Sequence, residues 1–197
     1  YGDMIQANPR EPYGYNNRAS INTRLEQYDA AMADYERAIE LDDEYPAPHM
    51  GRANILFRRG DYAGASAAYD RASRITARQY NTPNGVYAGK CSARAAARID
   101  FDEARRLCDR AVRNTQNSAW ALTARGFMYV MQGNLEAAAR DYAHAVERDQ
   151  YYAPALYGRG AVAIRQGRQA EGEADMSRAL EMDRQQVEYY ANAGLRP

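Results

Sequence analysis

Residues 119–152 read AWALTARGFMYVMQGNLEAAARDYAHAVERDQYY. Two apolar-periodic segments of about a dozen residues flank Gly133, which can adopt the left-handed conformation that ends a helix, so the stretch reads as a helix hairpin. Gly126, Ala138 and Ala145 stand at its eighth, twentieth and twenty-seventh places. Working outward, Ala38, Ala72, Ala111, Ala145 and Ala179 lie 34, 39, 34 and 34 residues apart. Tyr35, Tyr69, Cys108, Tyr142 and Met176 keep the same spacing three residues earlier. A fixed period of this kind marks a repeat array. It cuts the chain into units 12–45, 46–79, 85–118, 119–152 and 153–186, with 80–84 as an insert. Place eight holds Ala19, Ala53, Ser92, Gly126 and Gly160, and place twenty holds Ala31, Ala65, Ala104, Ala138 and Gly172. With the five alanines at place twenty-seven, every one of these positions is small, which composition alone does not produce. Small residues there let two helices, and then the next pair, approach closely.

This pattern resembles the tetratricopeptide repeat, a 34-residue unit with small residues at those three places and large apolar ones between. The resemblance covers nearly the whole chain. It implies an all-α, right-handed superhelical solenoid of five helix hairpins. Residues 1–11 fit as the end of a preceding repeat, with Tyr1 in the aromatic place, Met4 in the small place and Pro9 in the proline place. Residues 187–197 fit as a C-terminal capping helix and tail, with Tyr189 and Tyr190 covering the exposed face of the last unit. On this reading the native protein extends upstream of Tyr1, and Gly194–Pro197 is a true terminus. The family's usual proline near place thirty-two is absent from all five units, although Pro46, Pro48 and Pro154 suit the first turn of a following helix. Unit 85–118 has Ile99 in place of the turn glycine, and unit 153–186 has Gln169 and Gly172 where an aromatic and Ala are usual. These two units should be the least regular.

Zero net charge and 46% hydrophobic residues describe a folded chain without the global basic footprint of a nucleic-acid binder. Its apolar stretches fall short of the roughly 18 residues of a membrane span. The single Lys90 against 25 Arg reads as the bias of a GC-rich bacterial genome. The compartment is open between periplasm and cytoplasm, with a slight lean to periplasm. Cys91 and Cys108 are not in metal-ligand spacing; they occupy places that pack across one hairpin, and free buried thiols are expected.

Place seven carries Arg18, Arg52, Arg125 and Arg159, with Cys91 in the third unit. Four arginines in register could form a ladder for an acidic ligand. Sixteen residues later, however, stand Asp34, Asp141 and Asp175 opposite Arg18, Arg125 and Arg159, while the unit lacking Arg has Leu107. The charges come and go together. The economical reading is an Arg–Asp bridge between the helices of a hairpin, because a half-buried guanidinium needs a partner and its planar fork suits a carboxylate. Arg52 faces Ala68 and is the exception.

His49 and His144 sit in different units, no phosphate loop is visible, and Gly158-x-Gly160 lacks the strand of a dinucleotide loop. No catalytic residue, metal ligand or cofactor site is expected, and the chain does not read as an enzyme. Function must come from surface shape. The resemblance implies that first helices line a concave groove that binds peptides or helices. The groove residues are then Asn54, Phe57, Arg58, Lys90, Trp120, Thr123, Phe127, Val130, Met131, Tyr157, Ile164 and Arg165. Trp120, Phe127 and Tyr157 are the expected anchors, while Val130 and Ile164 equally suit packing between units. Lys90 and Asn54 are too scattered for the family's chaperone-tail clamp. The reading is a non-catalytic interaction scaffold for a protein or peptide partner. A docking or regulatory region of an enzyme with an upstream catalytic domain, or a self-assembly module, are the alternatives.

Overall fold

A computed structural model describes residues 2–79 and 84–197, so Tyr1 and residues 80–83 of the insert lie outside the described residues. Among the described residues every regular element is a helix: α1 (Gly2–Ala7), α2 (Pro12–Arg24), α3 (Tyr28–Leu41), α4 (Pro46–Arg58), α5 (Tyr62–Gln79), α6 (Asn84–Ala97), α7 (Phe101–Asn114), α8 (Ala119–Gln132), α9 (Leu135–Arg148), α10 (Ala153–Arg165) and α11 (Gln169–Asn192). Helices α2 and α3, α4 and α5, α8 and α9, and α10 and α11 pack as consecutive pairs. The chain divides into two compact units, Tyr1–Val86 and Tyr87–Pro197, the boundary falling inside α6.

Prolines open α2, α4 and α10, where the fixed φ suits a first turn and no backbone donor is lost. Gly60, Gly133 and Gly167 close the first helices of their pairs at φ +81°, +85° and +84°. The α6–α7 turn has no glycine, and Arg98 and Asp100 take the left-handed conformation on either side of Ile99. Asp100 also caps α7, its side chain accepting a bond from the Glu103 amide.

Besides the small places, glycines at place six let an aromatic ring lie against bare backbone. In the first unit the Tyr35 ring covers Gly51 so closely that an added Cβ would fall 2.1 Å from Cζ. Ala19, Ala31, Tyr35 and Ile55 form a core there, with Tyr28 and Met32 against it. In the second unit the fully buried Tyr142 ring lies between Gly126 and Gly158, where added Cβ atoms would come within 3.1 Å and 2.1 Å of it. Helices α10 and α11 cross even more tightly. A Cβ on Gly160 would sit 2.6 Å from the Gly172 carbonyl, and one on Gly172 2.5 Å from the Gly160 carbonyl. Gly172 is thus demanded by the crossing.

The expectation of free thiols is overturned. Cys91 and Cys108 form a disulfide between α6 and α7, with Cα atoms 5.5 Å apart and both residues fully buried. Helix pairing brings these facing places within bridging range, and the sulfurs use it, although a small buried residue at each place would have sufficed for packing.

Helix α11 contains one non-helical residue, Asp183, at φ −156° and ψ 86°. Asp42 and Asp149, which end α3 and α9, have the same extended backbone. The second helix of the last pair therefore ends at Asp183, and a further short helix begins there, capped by the Asp183 carboxylate accepting from the Gln186 amide at 2.9 Å. This bend aims the C-terminal segment.

Among the described residues the buried Tyr142 hydroxyl has no hydrogen-bond partner, and burial pushes its pKa well above the usual 10. Tyr142→Phe keeps the ring and removes the unpaired group, and should raise stability by about 1 kcal/mol in urea unfolding. Gly158→Ala should instead lower it by about 2 kcal/mol, because the ring cannot retreat from a dense interior. Equal midpoints for both variants and the parent would refute this packing account.

Candidate functional site

Three helix pairs carry a charged fork across their interface. Arg18 Nε and Nη2 each donate to one Asp34 oxygen at 2.7 Å. Arg125 reaches Asp141 in the same way at 2.7 and 2.8 Å, and Arg159 reaches Asp175 at 2.6 and 2.8 Å. Arg125 has a second carboxylate as well, its Nη1 donating to Asp109 of α7 at 2.9 Å, which sequence reasoning missed. Hydrogen bonds to the aspartates hold all three guanidinium groups above their ordinary pKa. These pairs join helices within the fold.

The face made by the first helices of the second unit carries the C-terminal segment. Tyr190 packs on Phe127 of α8 with ring centroids 5.3 Å apart, and Leu195 is fully buried. Gly194 lies beside the Met131 side chain. Arg165 of α10 donates from Nε to the Arg196 carbonyl at 2.7 Å and from Nη2 toward that of Gly194 at 3.5 Å. Burial pushes the Tyr190 phenol up to about 12, with the neighbouring Ser92 hydroxyl of α6 opposing. One short segment thus touches α6, α8 and α10 at once.

Its presence corrects the picture of an open apolar stripe. Phe127 is fully buried, Tyr157 and Val130 nearly so, and Thr123 lies wholly inside. Ile164 points at Gly172 across the α10–α11 crossing. Trp120 and Met131 are half-buried and Arg165 is exposed. Whether an aromatic on a first helix is open depends on where the chain goes next, and here it folds back. In the first unit Phe57 is buried edge-on against Tyr62, with centroids 5.0 Å apart. Asn54 is exposed and accepts a hydrogen bond from Tyr69, and Arg58 is half-buried. Lys90 is half-buried on α6. The structure therefore gathers Phe127, Met131 and Arg165 around the C-terminal segment. Asn54, Phe57 and Arg58 belong to the other unit.

Among the described residues no group of three or more His, Cys, Asp or Glu could hold a metal ion, and no helix is long and apolar enough to cross a membrane. His49 is buried, its Nε2 3.0 Å from the Asp43 carbonyl oxygen.

Residues 12–45 and 124–187 match tetratricopeptide repeat family models. The small glutamine-rich tetratricopeptide repeat-containing protein 2 of Mycosarcoma maydis is 28% identical over 90 residues, which is 46% of this chain and 26% of that protein. The Hsp70-Hsp90 organizing protein 2 of Arabidopsis thaliana is 30% identical over 71 residues, 36% of this chain and 12% of that protein. The chain thus spans about a quarter or less of these relatives. Among solved structures, a thermophilic tetratricopeptide protein of Thermus thermophilus superposes with a TM-score of 0.75 at 19% identity, covering 92% of this chain and 98% of that one. YrrB, a tetratricopeptide protein with an unusual peptide-binding site, gives 0.62 at 19% identity over 97% and 96% of the two chains. These structural likenesses concern the fold.

Asp141→Ala leaves Arg125 with Asp109, so the loss should be about 2 kcal/mol, below that of a buried pair stripped of its only partner. Asp109→Ala combined with Asp141→Ala should exceed the sum of the single losses in thermal unfolding; strict additivity would show that the three groups do not act together. The Tyr190 phenol gives a pH dependence. Its pKa is raised in the folded chain, so the stability it brings is complete below pH 10 and is lost as pH climbs toward 12, by at most roughly 3 kcal/mol. Tyr190→Phe should flatten that fall in denaturant titrations at pH 9 to 12. An unchanged slope would place the phenol in water.

Proposed function

The chain belongs to the tetratricopeptide repeat family, and from that premise we propose that it is a non-catalytic interaction module that holds a segment of a protein partner against its first helices. The observation carrying this reading is the chain's own C-terminal segment. It is seated on α6, α8 and α10 by an aromatic contact at Phe127, apolar contact at Met131 and main-chain hydrogen bonds from Arg165. An aromatic anchor with cationic donors to backbone carbonyls is the chemistry by which a groove seats a helical or extended peptide irrespective of most of its side chains. Phe127, Met131, Tyr157 and Arg165 are the residues proposed to meet the partner, with Trp120 at the edge; in the first unit, taken by itself, Asn54 and Arg58 are proposed as a polar contact surface. The partner displaces residues 184–197 to reach Phe127. The disulfide between α6 and α7 favours an oxidising compartment such as a periplasm.

A second reading has one supporting observation. Human serine/threonine-protein phosphatase 5 is 32% identical over 75 residues, which is 15% of its length, so repeats like these occur as a minor part of an enzyme. Under that reading the same face docks a substrate or regulates a catalytic domain elsewhere in a longer chain.

The test is site-specific photocrosslinking in the native host. A benzophenone side chain at Met131 or Arg165 should capture a discrete protein, and deleting residues 184–197 should raise the yield. The same probe at Arg140, exposed on the second helix α9, is the comparison. Capture from Arg140 alone would refute the reading. Tyr190→Ala should cost about 3 kcal/mol of stability, since it uncovers Phe127, while strengthening partner capture. A loss of both would mean that the segment belongs to the binding surface.

A further inference from the structure

The second helix pair lacks the carboxylate that the Arg–Asp forks require. At its twenty-third place stands Ala68, 8% exposed, where α3, α9 and α11 carry Asp34, Asp141 and Asp175. The arginine remains. Arg52 is half-buried on α4 and, among the described residues, no carboxylate comes within ion-pair distance of it. Beside it opens a cleft of about 410 Å³ among α3, α4 and α5, lined by Ala68, Arg52 and His49 with the carboxylates of Asp43 and Asp61, and walled on its apolar side by Ile39 of α3 and Leu56.

Of the other charged groups of the cleft, Asp43 and Arg71 pair with each other, and Asp61 keeps its negative charge while its carboxylate is turned to a backbone amide. Asp43 accepts from Arg71 and stands 3.4 Å from His49 Nε2. Asp61 accepts from the Gly64 amide at 2.8 Å. Arg71 spans Asp43 and Glu44. Glu36 has, in the preceding pair, the register place that Asp109 has beside Arg125, yet it makes no ion pair with Arg52. Among the described residues Arg52 therefore presents a guanidinium fork with unspent donors to a cleft at the register place where three other pairs carry an aspartate. A half-desolvated fork of this kind is selective for a planar two-oxygen acceptor.

We infer that the cleft beside Arg52 is a binding site for a ligand carboxylate, which seats where three other pairs carry an aspartate and completes the missing fork. Place seven faces the second helix, so this site is separate from the first-helix face and does not depend on the function proposed for that face. An acidic side chain and a polypeptide terminus offer the same chemistry.

The experiment follows the Arg52 Nε–Hε resonance of the whole ¹⁵N-labelled chain during titration with N-acetyl-aspartate amide, N-acetyl-alanine, N-acetyl-asparagine amide and inorganic phosphate. Either of the first two should shift it saturably; the stronger response to the aspartate compound assigns an acidic side chain, the stronger response to the alanine compound a chain terminus. Ala68→Asp should supply the carboxylate internally, raise the melting temperature and weaken ligand binding at least about tenfold. Arg52→Ala, read through neighbouring Leu56 methyl signals, should abolish binding. The inference is overturned by an unresponsive Arg52, by equal response to the neutral amide, by tighter binding of phosphate than of both carboxylates, or by binding that persists in Ala68→Asp.

Discussion

Close approach of helix backbones is the constraint on which the rest of this structure depends. It is enforced by an aromatic side chain that needs bare backbone beneath it. Tyr142 has no room unless Gly158 lacks a Cβ, it sits tightly against Gly126, and Tyr35 asks of Gly51 what Tyr142 asks of Gly158. Once the rings are seated, the interaxial distance is set, and with it the span that any cross-helix bond must bridge. An arginine on one helix then meets an aspartate sixteen residues later at 2.6 to 2.8 Å in three separate pairs. The ion pairs read out a geometry that the small residues impose.

Much of this was legible because repetition turns one sequence into several observations of the same site. The small places stand out across all units, and the co-occurrence of Arg18, Arg125 and Arg159 with Asp34, Asp141 and Asp175 separates a structural pair from a ligand ladder without coordinates. Features that occur once have no such support. Tyr190 and Leu195 belong to no repeat, and nothing in their local spacing tells that the bend at Asp183 carries them over Phe127. The same ignorance made Phe127 and Tyr157 look open. The cysteines were misjudged for another reason: a buried cysteine satisfies the volume demand of its place whether or not its sulfur is bonded, so packing arguments are blind to the bridge.

The C-terminal segment also changes what the first-helix face means. An apolar stripe on a solenoid is a liability unless something covers it. Here the cover is part of the chain, linked through a single extended residue, so its local concentration is high and no encounter is needed. Any partner for that face competes with an intramolecular ligand, and its apparent affinity reflects the difference between two seatings.

The third helix pair has neither the arginine nor the aspartate, and at place seven, where its neighbours hold a guanidinium, it holds one end of the Cys91–Cys108 bond. A covalent tie thus stands in for an electrostatic one. The two answer to different variables: salt and extremes of pH loosen the forks and leave the bridge intact, while a reducing thiol cuts the bridge and leaves the forks unaffected. The chain consequently carries, within its second compact unit, a tie between α6 and α7 whose strength is set by the redox poise of its surroundings rather than by their ionic strength.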